Sequence, residues 1–232
     1  MIRKYLIKTH NKARLVNNLK IMNMLEINSN AELLDMGCDD GNWTMELAKK
    51  IQTQHINGIE VVESRILNAQ SRGIEVVMAD LNSYLPYPND HFDVIHANQV
   101  IEHLNNTDNF VSEIYRLLKP GGYAIISTEN LSSWHNIIAL IFGWQPFSMA
   151  NFSKKGNIGN PFSLWKREIS NNSSLLSWQH NRLFSYYGLK DLFQKFNFKV
   201  EKIKTSGYYP FFEWFSKIDP IHGHYIVYKI RK

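Results

Sequence analysis

The stretch LLDMGCDDGNWT, residues 33–44, constrains what this chain can fold into more than any other. An apolar run closes on Asp35, the backbone turns through Gly37 and Gly41, and a helical pattern opens at Asn42. A strand, a glycine loop and a helix N-terminus in that order let backbone amides approach a ligand that a Cβ would keep away. Three more apolar runs end the same way: residues 55–59 on Glu60, 74–79 on Asp80 and 92–97 on Asn98. Glu60 stands close to the roughly 20 residues past a glycine loop where doubly wound folds place a ribose-binding acid. Polar residues closing four successive strands predict a ligand crevice at the carboxyl edge of a parallel sheet.

Helical patterns at 42–50, 63–71, 107–118 and 185–196 separate the strands, which predicts βαβ units with both sheet faces covered. Residues 1–30 also read as helix, from the spacing of Leu15, Leu19, Met22 and Leu25. The turn Leu118-Lys119-Pro120-Gly121-Gly122 leads into a fifth strand at 123–128. Residues 131–167 contain no Asp or Glu and carry Trp134, Phe142, Trp144, Phe147, Phe152, Phe162 and Trp165, the composition of an aromatic-rich cap insertion. Strands at 198–205 and 224–230 close the sheet as an antiparallel pair. The expected fold is α/β: a Rossmann-like, seven-stranded, mostly parallel sheet with an antiparallel C-terminal strand and helices on both faces. It forms one domain over 1–232, with an N-terminal helical segment (1–30), a cofactor core (31–130), a cap (131–180) and the rest of the core (181–232).

The lone cysteine, Cys38, sits in the glycine loop, so neither a disulfide framework nor a cysteine metal cluster is possible. That usage fits a reducing, cytoplasmic setting, and the basic N-terminus has no apolar segment of signal-peptide length. Residues 137–142 are far shorter than the roughly 20 residues a spanning helix needs and read as a buried or capping helix. The net charge of +5 is spread over both ends and no nucleic-acid motif stands out. No metal spacing links the nine histidines, so no metal is expected.

These residues resemble the class I S-adenosylmethionine-dependent methyltransferases, most closely the type-11 group of small-molecule enzymes. The likeness covers 31–130 and, more loosely, 183–203. It implies S-adenosylmethionine as methyl donor and S-adenosylhomocysteine as product. It implies that Asp35, Gly37, Cys38 and Gly41 hold the methionine end. Glu60, with Val61 beside it, would take the ribose hydroxyls, and Asp80 and Leu81 the adenine. Asn98 opens the segment NQVIEHL beside the transferred methyl. The family commonly has glycine where this chain has Asp39, a residue that tolerates unusual backbone angles. The chemistry agrees: a carboxylate can accept both donors of a ribose diol, and a sulfonium favours a loop bearing Asp35, Asp39 and Asp40. A nicotinamide enzyme would instead carry G-x-G-x-x-G.

His103, beside Glu102, and His180 are candidate bases for an acceptor hydroxyl, with Arg182 near His180 and His135 as a weaker candidate. In-line displacement also proceeds without a dedicated base, since alignment alone is worth on the order of 7 to 11 kcal/mol. Lys154, Lys155, Lys166 and Arg167 favour a small anionic or sugar-bearing acceptor. Two other functions stay open: a non-catalytic S-adenosylmethionine-binding partner subunit, and an enzyme acting on a lipid-linked acceptor at a membrane surface, from the apolar runs 137–142 and 211–215. A monomer or homodimer is expected.

Overall fold

The structure is a computed structural model that describes residues 2–153, 155–164 and 179–232. Lys154, Trp165, Lys166 and Arg167 lie outside the described residues. Seven strands form one sheet: β1 (Leu33–Met36), β2 (Ile56–Glu60), β3 (Glu75–Met78), β4 (Phe92–Asn98), β5 (Leu118–Glu129), β6 (Lys199–Ser206) and β7 (Tyr225–Arg231). Their order is β3-β2-β1-β4-β5-β7-β6, and only β7 runs against its neighbours. Chain order reverses between β1 and β4, so the crevice at their carboxyl ends is where a ligand fits.

Among the described residues six α-helices accompany the sheet: α1 (Ile2–Met22), α2 (Asn42–Ile51), α3 (Glu63–Gln70), α4 (Thr107–Leu117), α5 (Trp134–Ile141) and α6 (Tyr186–Lys195). Strand side chains alternate between faces. Leu34, Ile95, Ala124, Ile126, Ile226 and Tyr228 pack against α4 and α6 through Phe110, Ile114, Leu189 and Phe193. Leu33, Val94, Tyr123, Ile125 and Val227 meet α1, α2 and α3 through Ile21, Leu47, Ile51 and Ala69. Side chains cap two helices: Asn106 accepts from Asn109 N at the start of α4, and Ser185 from Gly188 N at the start of α6.

Three elements differ from the sequence reading. Helix α1 stops at Met22, and Leu15 and Leu19 are 63% and 62% exposed. Its buried stripe is Leu6, Ala13, Asn17 and Ile21, about half a turn round the helix on the opposite face, because the polar Asn17 finds a partner in Ser127 (Nδ2 to Oγ, 2.9 Å). Strand β5 starts at Leu118, which pairs with Phe92 before a bulge. Helix α5 buries His135, Asn136 and Ala139 and exposes Leu140, Ile141 and Phe142. Its apolar run therefore faces outward, since buried polar side chains anchor the opposite face: Asn136 Nδ2 donates to Asn130 O and Ser148 Oγ, both at 3.0 Å.

Candidate functional site

The loop after β1 shows why two glycines stand there. Gly37 and Gly41 have φ of 80° and 81°. A Cβ on Gly41 would lie 2.6 Å from Ile74 Cδ1 and 3.0 Å from the Ala69 backbone, and one on Gly37 would lie 2.8 Å from Val100. Their first role is thus to let the loop close on α3 and on the segment after β4. Asp39 takes a φ of 51°, the left-handed region that glycine usually fills, and its carboxylate meets Arg65 at 3.1 Å. Arg72 covers Asp40 in turn, with Nε donating to Asp40 O at 2.9 Å. Arginines therefore balance two of the loop's three acids.

Asp35 points inward. It is 2% exposed; Thr44 Oγ1 donates to its Oδ2 at 2.5 Å and His96 Nδ1 to its Oδ1 at 2.7 Å. His96 is its cross-strand neighbour on β4 and accepts from Trp43 Nε1 at 3.4 Å. This buried group ties β1, β4 and α2 together beneath the loop. Loop amides are also engaged inside the fold: Gly37 N and Cys38 N donate to Ile59 O, and Asp39 N to Glu60 Oε2. The first-turn amides of α2, at Trp43 and Thr44, have no acceptor within the helix and face outward along its axis. Cys38 is buried with its sulfur where a Cβ on Gly58 would stand, and burial pushes its thiol up to about 12, so it stays protonated.

Glu60 closes β2 beside the loop. Its Oε1 accepts from Val61 N at 2.8 Å and Val62 N at 3.0 Å, which fixes the carboxylate at the entrance to α3 and leaves lone pairs for a ligand. Val61 and Met78 are 51% and 59% exposed at the ends of β2 and β3, apolar side chains left open beside acids. Exposed Asp80 accepts from Asn82 N and Nδ2, both at 2.9 Å, and Leu81 is buried behind it. Asn98 is half-buried at the end of β4, 3.5 Å from Asn17 Nδ2. Next to it Gln99, at φ 57°, holds its Nε2 buried without a partner. The sheet thus brings Glu60, Asp80 and Asn98 to one edge and turns Asp35 and Cys38 away from it.

A second group lies one strand further along. Glu129 ends β5, one residue past the strand end read from sequence, and is buried among His10, His135, His180 and His224. Its Oε1 lies 3.5 Å from His224 Nε2 and its Oε2 3.7 Å from His180 Nδ1. Burial would raise this carboxyl, but His224 and His180 prevail and hold it well below the usual carboxylate range. His135 stacks on His224 with centroids 4.5 Å apart, and His10 meets the same ring edge-on at 5.5 Å. Burial, with His224 adding to it, lowers His10 to about 4 and His135 well below its ordinary value, so both are neutral at pH 7. Glu129, His10, His135 and His224, with Leu6, Ala13, Phe147 and Tyr209, line a cavity of about 220 Å³. Through His135, Phe147 and Tyr209 it adjoins an apolar groove bordered by Ile138, Trp144, Phe162 and Pro210.

The two candidate bases come together. His103 and His180 have ring centroids 4.8 Å apart, next to Glu102. Burial, then His180, lowers His103 to about 4, whereas burial raises Glu102 to about 7 against the opposing pull of His180. Arg182 does not join them: it is exposed, with Nη2 donating to Asn105 O at 2.6 Å. Lys155 is exposed and does not line the cavity. Sequence reasoning missed Glu129, His10 and His224, and reached Gln99 only as a member of the segment NQVIEHL. The strand-end rule would have reached Glu129, but nothing in the sequence places His10, on α1, beside His224.

A family described as a methyltransferase domain matches residues 8–203. The chain is 30% identical over 135 residues to the ubiquinone biosynthesis O-methyltransferase of Rickettsia canadensis, covering 54% of this chain and 56% of that one. It is 29% identical over 126 residues to the mitochondrial ubiquinone biosynthesis O-methyltransferase of Rattus norvegicus, covering 50% and 36%. The chain spans about half the length of the curated relatives it matches. In fold it is similar to a Thermotoga maritima S-adenosylmethionine-dependent methyltransferase described as a possible histamine N-methyltransferase, with TM-score 0.64, 18% identity and coverage of 99% and 97%.

Proposed function

This chain belongs to the methyltransferase-domain family of class I S-adenosylmethionine-dependent enzymes, and on that premise we propose that it methylates a hydroxyl on an aromatic small molecule with an apolar tail. The residues at the β1–β4 edge fit the methyl donor. Glu60 would accept the ribose hydroxyls, Asp80 and Leu81 would meet the adenine edge, and Val61 and Met78 offer it exposed apolar surface. The partnerless Gln99 Nε2 and the first-turn amides of α2 are donors suited to the methionine carboxylate. Bound there, the cofactor supplies an electrophilic sulfonium methyl.

The observation that carries the acceptor class is the cavity beside Glu129. Its walls are aromatic and apolar, the histidines facing it include two that are neutral at pH 7, and no Lys or Arg lines it among the described residues. Such walls favour a ring over a sugar or an anion, and the adjoining groove is bordered by the apolar side chains that a hydrocarbon tail needs. Glu129, kept ionised, would accept a hydrogen bond from the ring hydroxyl and orient that oxygen for attack; held so acidic it is a poor base, and the proton released on methylation passes to solvent. His10, His135, Leu6 and Phe147 exclude water. The similarity to ubiquinone biosynthesis O-methyltransferases supports an oxygen acceptor.

The test pairs calorimetry with turnover. Wild type is expected to bind S-adenosylhomocysteine and to release it from S-adenosylmethionine in the presence of phenolic or quinol acceptors, faster with longer apolar tails. Glu60→Ala should weaken cofactor binding by at least tenfold. Cofactor binding without turnover on any acceptor would favour the partner-subunit reading. Turnover on sugars or anions but not on phenols would overturn the acceptor class. A membrane-surface version of this activity draws on exposed Ile141, Phe142, Phe212 and Trp214, which offer an apolar surface for a lipid-like acceptor.

A further inference from the structure

We propose that Glu102, His103 and His180 form a divalent-cation site of the zinc class beside the acceptor cavity. One ligand atom from each lies within 4.8 Å of the other two, although the residues come from two distant segments. His103 Nδ1 is 2.9 Å from Gln179 O, and His180 Nδ1 is 2.6 Å from Ser148 O. A carbonyl oxygen only accepts, so each Nδ1 carries its hydrogen and each lone pair resides on Nε2. Imidazoles that bind metals are commonly oriented in this way, by a carbonyl that fixes the tautomer from behind. The rings meet edge-to-face at 71° instead of stacking, which lets two ring edges converge.

Glu102 supplies the independent observation. It is fully buried; Thr128 Oγ1 donates to its Oε2 at 2.8 Å, while its Oε1 is buried with no partner. A buried carboxylate oxygen left unpaired is costly, and a cation held by the two histidines satisfies it. The backbone holds the set together: Asn181 N and Arg182 N both donate to Glu102 O, and Asn181 Nδ2 donates to His103 O at 2.7 Å. Two imidazoles and one carboxylate make the donor set of open zinc sites, which keep a fourth position for water or substrate. Ser148 and Glu129 face the Nδ1 edge of His180 and line the acceptor cavity, so the His180 ring stands between that cavity and the ion on its Nε2 edge. The sequence offered no metal spacing because the ligands reach the site from the turn after β4 and from the segment before α6. These contacts argue the site independently of the methyl-transfer reading, and an ion there would hold the segment before α6 against the turn after β4.

The experiment uses full-length, tag-free protein stripped with chelator and titrated with Co²⁺ while visible absorption is recorded, followed by competition with Zn²⁺. One equivalent of Co²⁺ is expected, with the intense bands of a four-coordinate site that disappear on adding Zn²⁺. Glu102→Gln, which keeps shape and folding, and His180→Gln should each weaken Zn²⁺ binding by at least about 10- to 100-fold. S-adenosylhomocysteine calorimetry on the same samples should stay unchanged. That readout separates the two conclusions, because loss of cofactor binding in wild type would damage the methyltransferase reading and leave the metal result standing. Failure of wild type to bind either ion, or unchanged Zn²⁺ affinity in both variants, would overturn the site. So would loss of the ion in His224→Gln with retention in Glu102→Gln, since the ion would then sit on the Glu129 cluster.

Discussion

Asp35 and His96 show how a single strand-end acid can serve the scaffold beneath a ligand site. Both are buried, and each oxygen of Asp35 has one protein partner. Removing one member of a buried pair leaves the other uncompensated, at a cost of about 3–5 kcal/mol, whereas losing a neutral hydroxyl partner costs about 1–3 kcal/mol. His96→Leu is therefore expected to destabilise the protein by several kcal/mol in urea unfolding, and Thr44→Val by less. Equal, small effects would place Asp35 outside the stabilising network. The glycine loop obeys the same logic: Gly41 needs its left-handed angle and its lack of a Cβ because Ala69 and Ile74 occupy the space.

At the scale of elements, β7 is tied by charge to the segment after α1 and, by charge as well as by ladder bonds, to β6. Buried Lys229 donates to Met24 O at 2.9 Å and pairs with Glu26, and Arg231 pairs with Glu201 at 2.6 Å. Arg231 holds Glu201 below its ordinary range, and Lys229 and Arg231 do the same for Glu26 against the upward push of burial. Carboxyls depressed in the folded state contribute stability that is complete above their unfolded value, about 4.3, and is lost as pH falls through the folded one. The melting temperature is expected to fall steeply below about pH 4.3 and less steeply in Glu201→Gln. Identical slopes would show that other carboxyls carry the acid response. Helix existence was legible from apolar spacing, but the phase of α1 was not, because Asn17 rather than a leucine occupies the buried stripe.

For the whole molecule, the open question is what the outward apolar residues of α5 and of the segment before β7 meet. Ile141 and Phe212 are each 75% exposed. No helix among the described residues is long and apolar enough to cross a membrane. If the acceptor is drawn from a bilayer, the wild-type protein should sediment with anionic vesicles. Phe212→Glu with Trp214→Glu should then reduce the bound fraction several-fold while leaving affinity for S-adenosylhomocysteine in solution unchanged. Wild-type protein that stays in the supernatant would remove the membrane-surface version.

By itself the sequence determined the α/β class, the order of strands and helices, and the strand-end positions of Glu60, Asp80 and Asn98. Those features rest on local pattern: short continuous apolar runs closed by a polar residue, period-3.6 apolar spacing, and turns that require glycine. Tertiary structure decided which way Asp35 faces, that Gln99 is left without a partner, and that Glu129 gathers histidines from α1, α5 and two loops. Contacts between distant segments depend on how the sheet twists and where each connection crosses its edge, and no spacing along the chain encodes that. The meeting of Glu102 and His103 with His180 belongs to the same category.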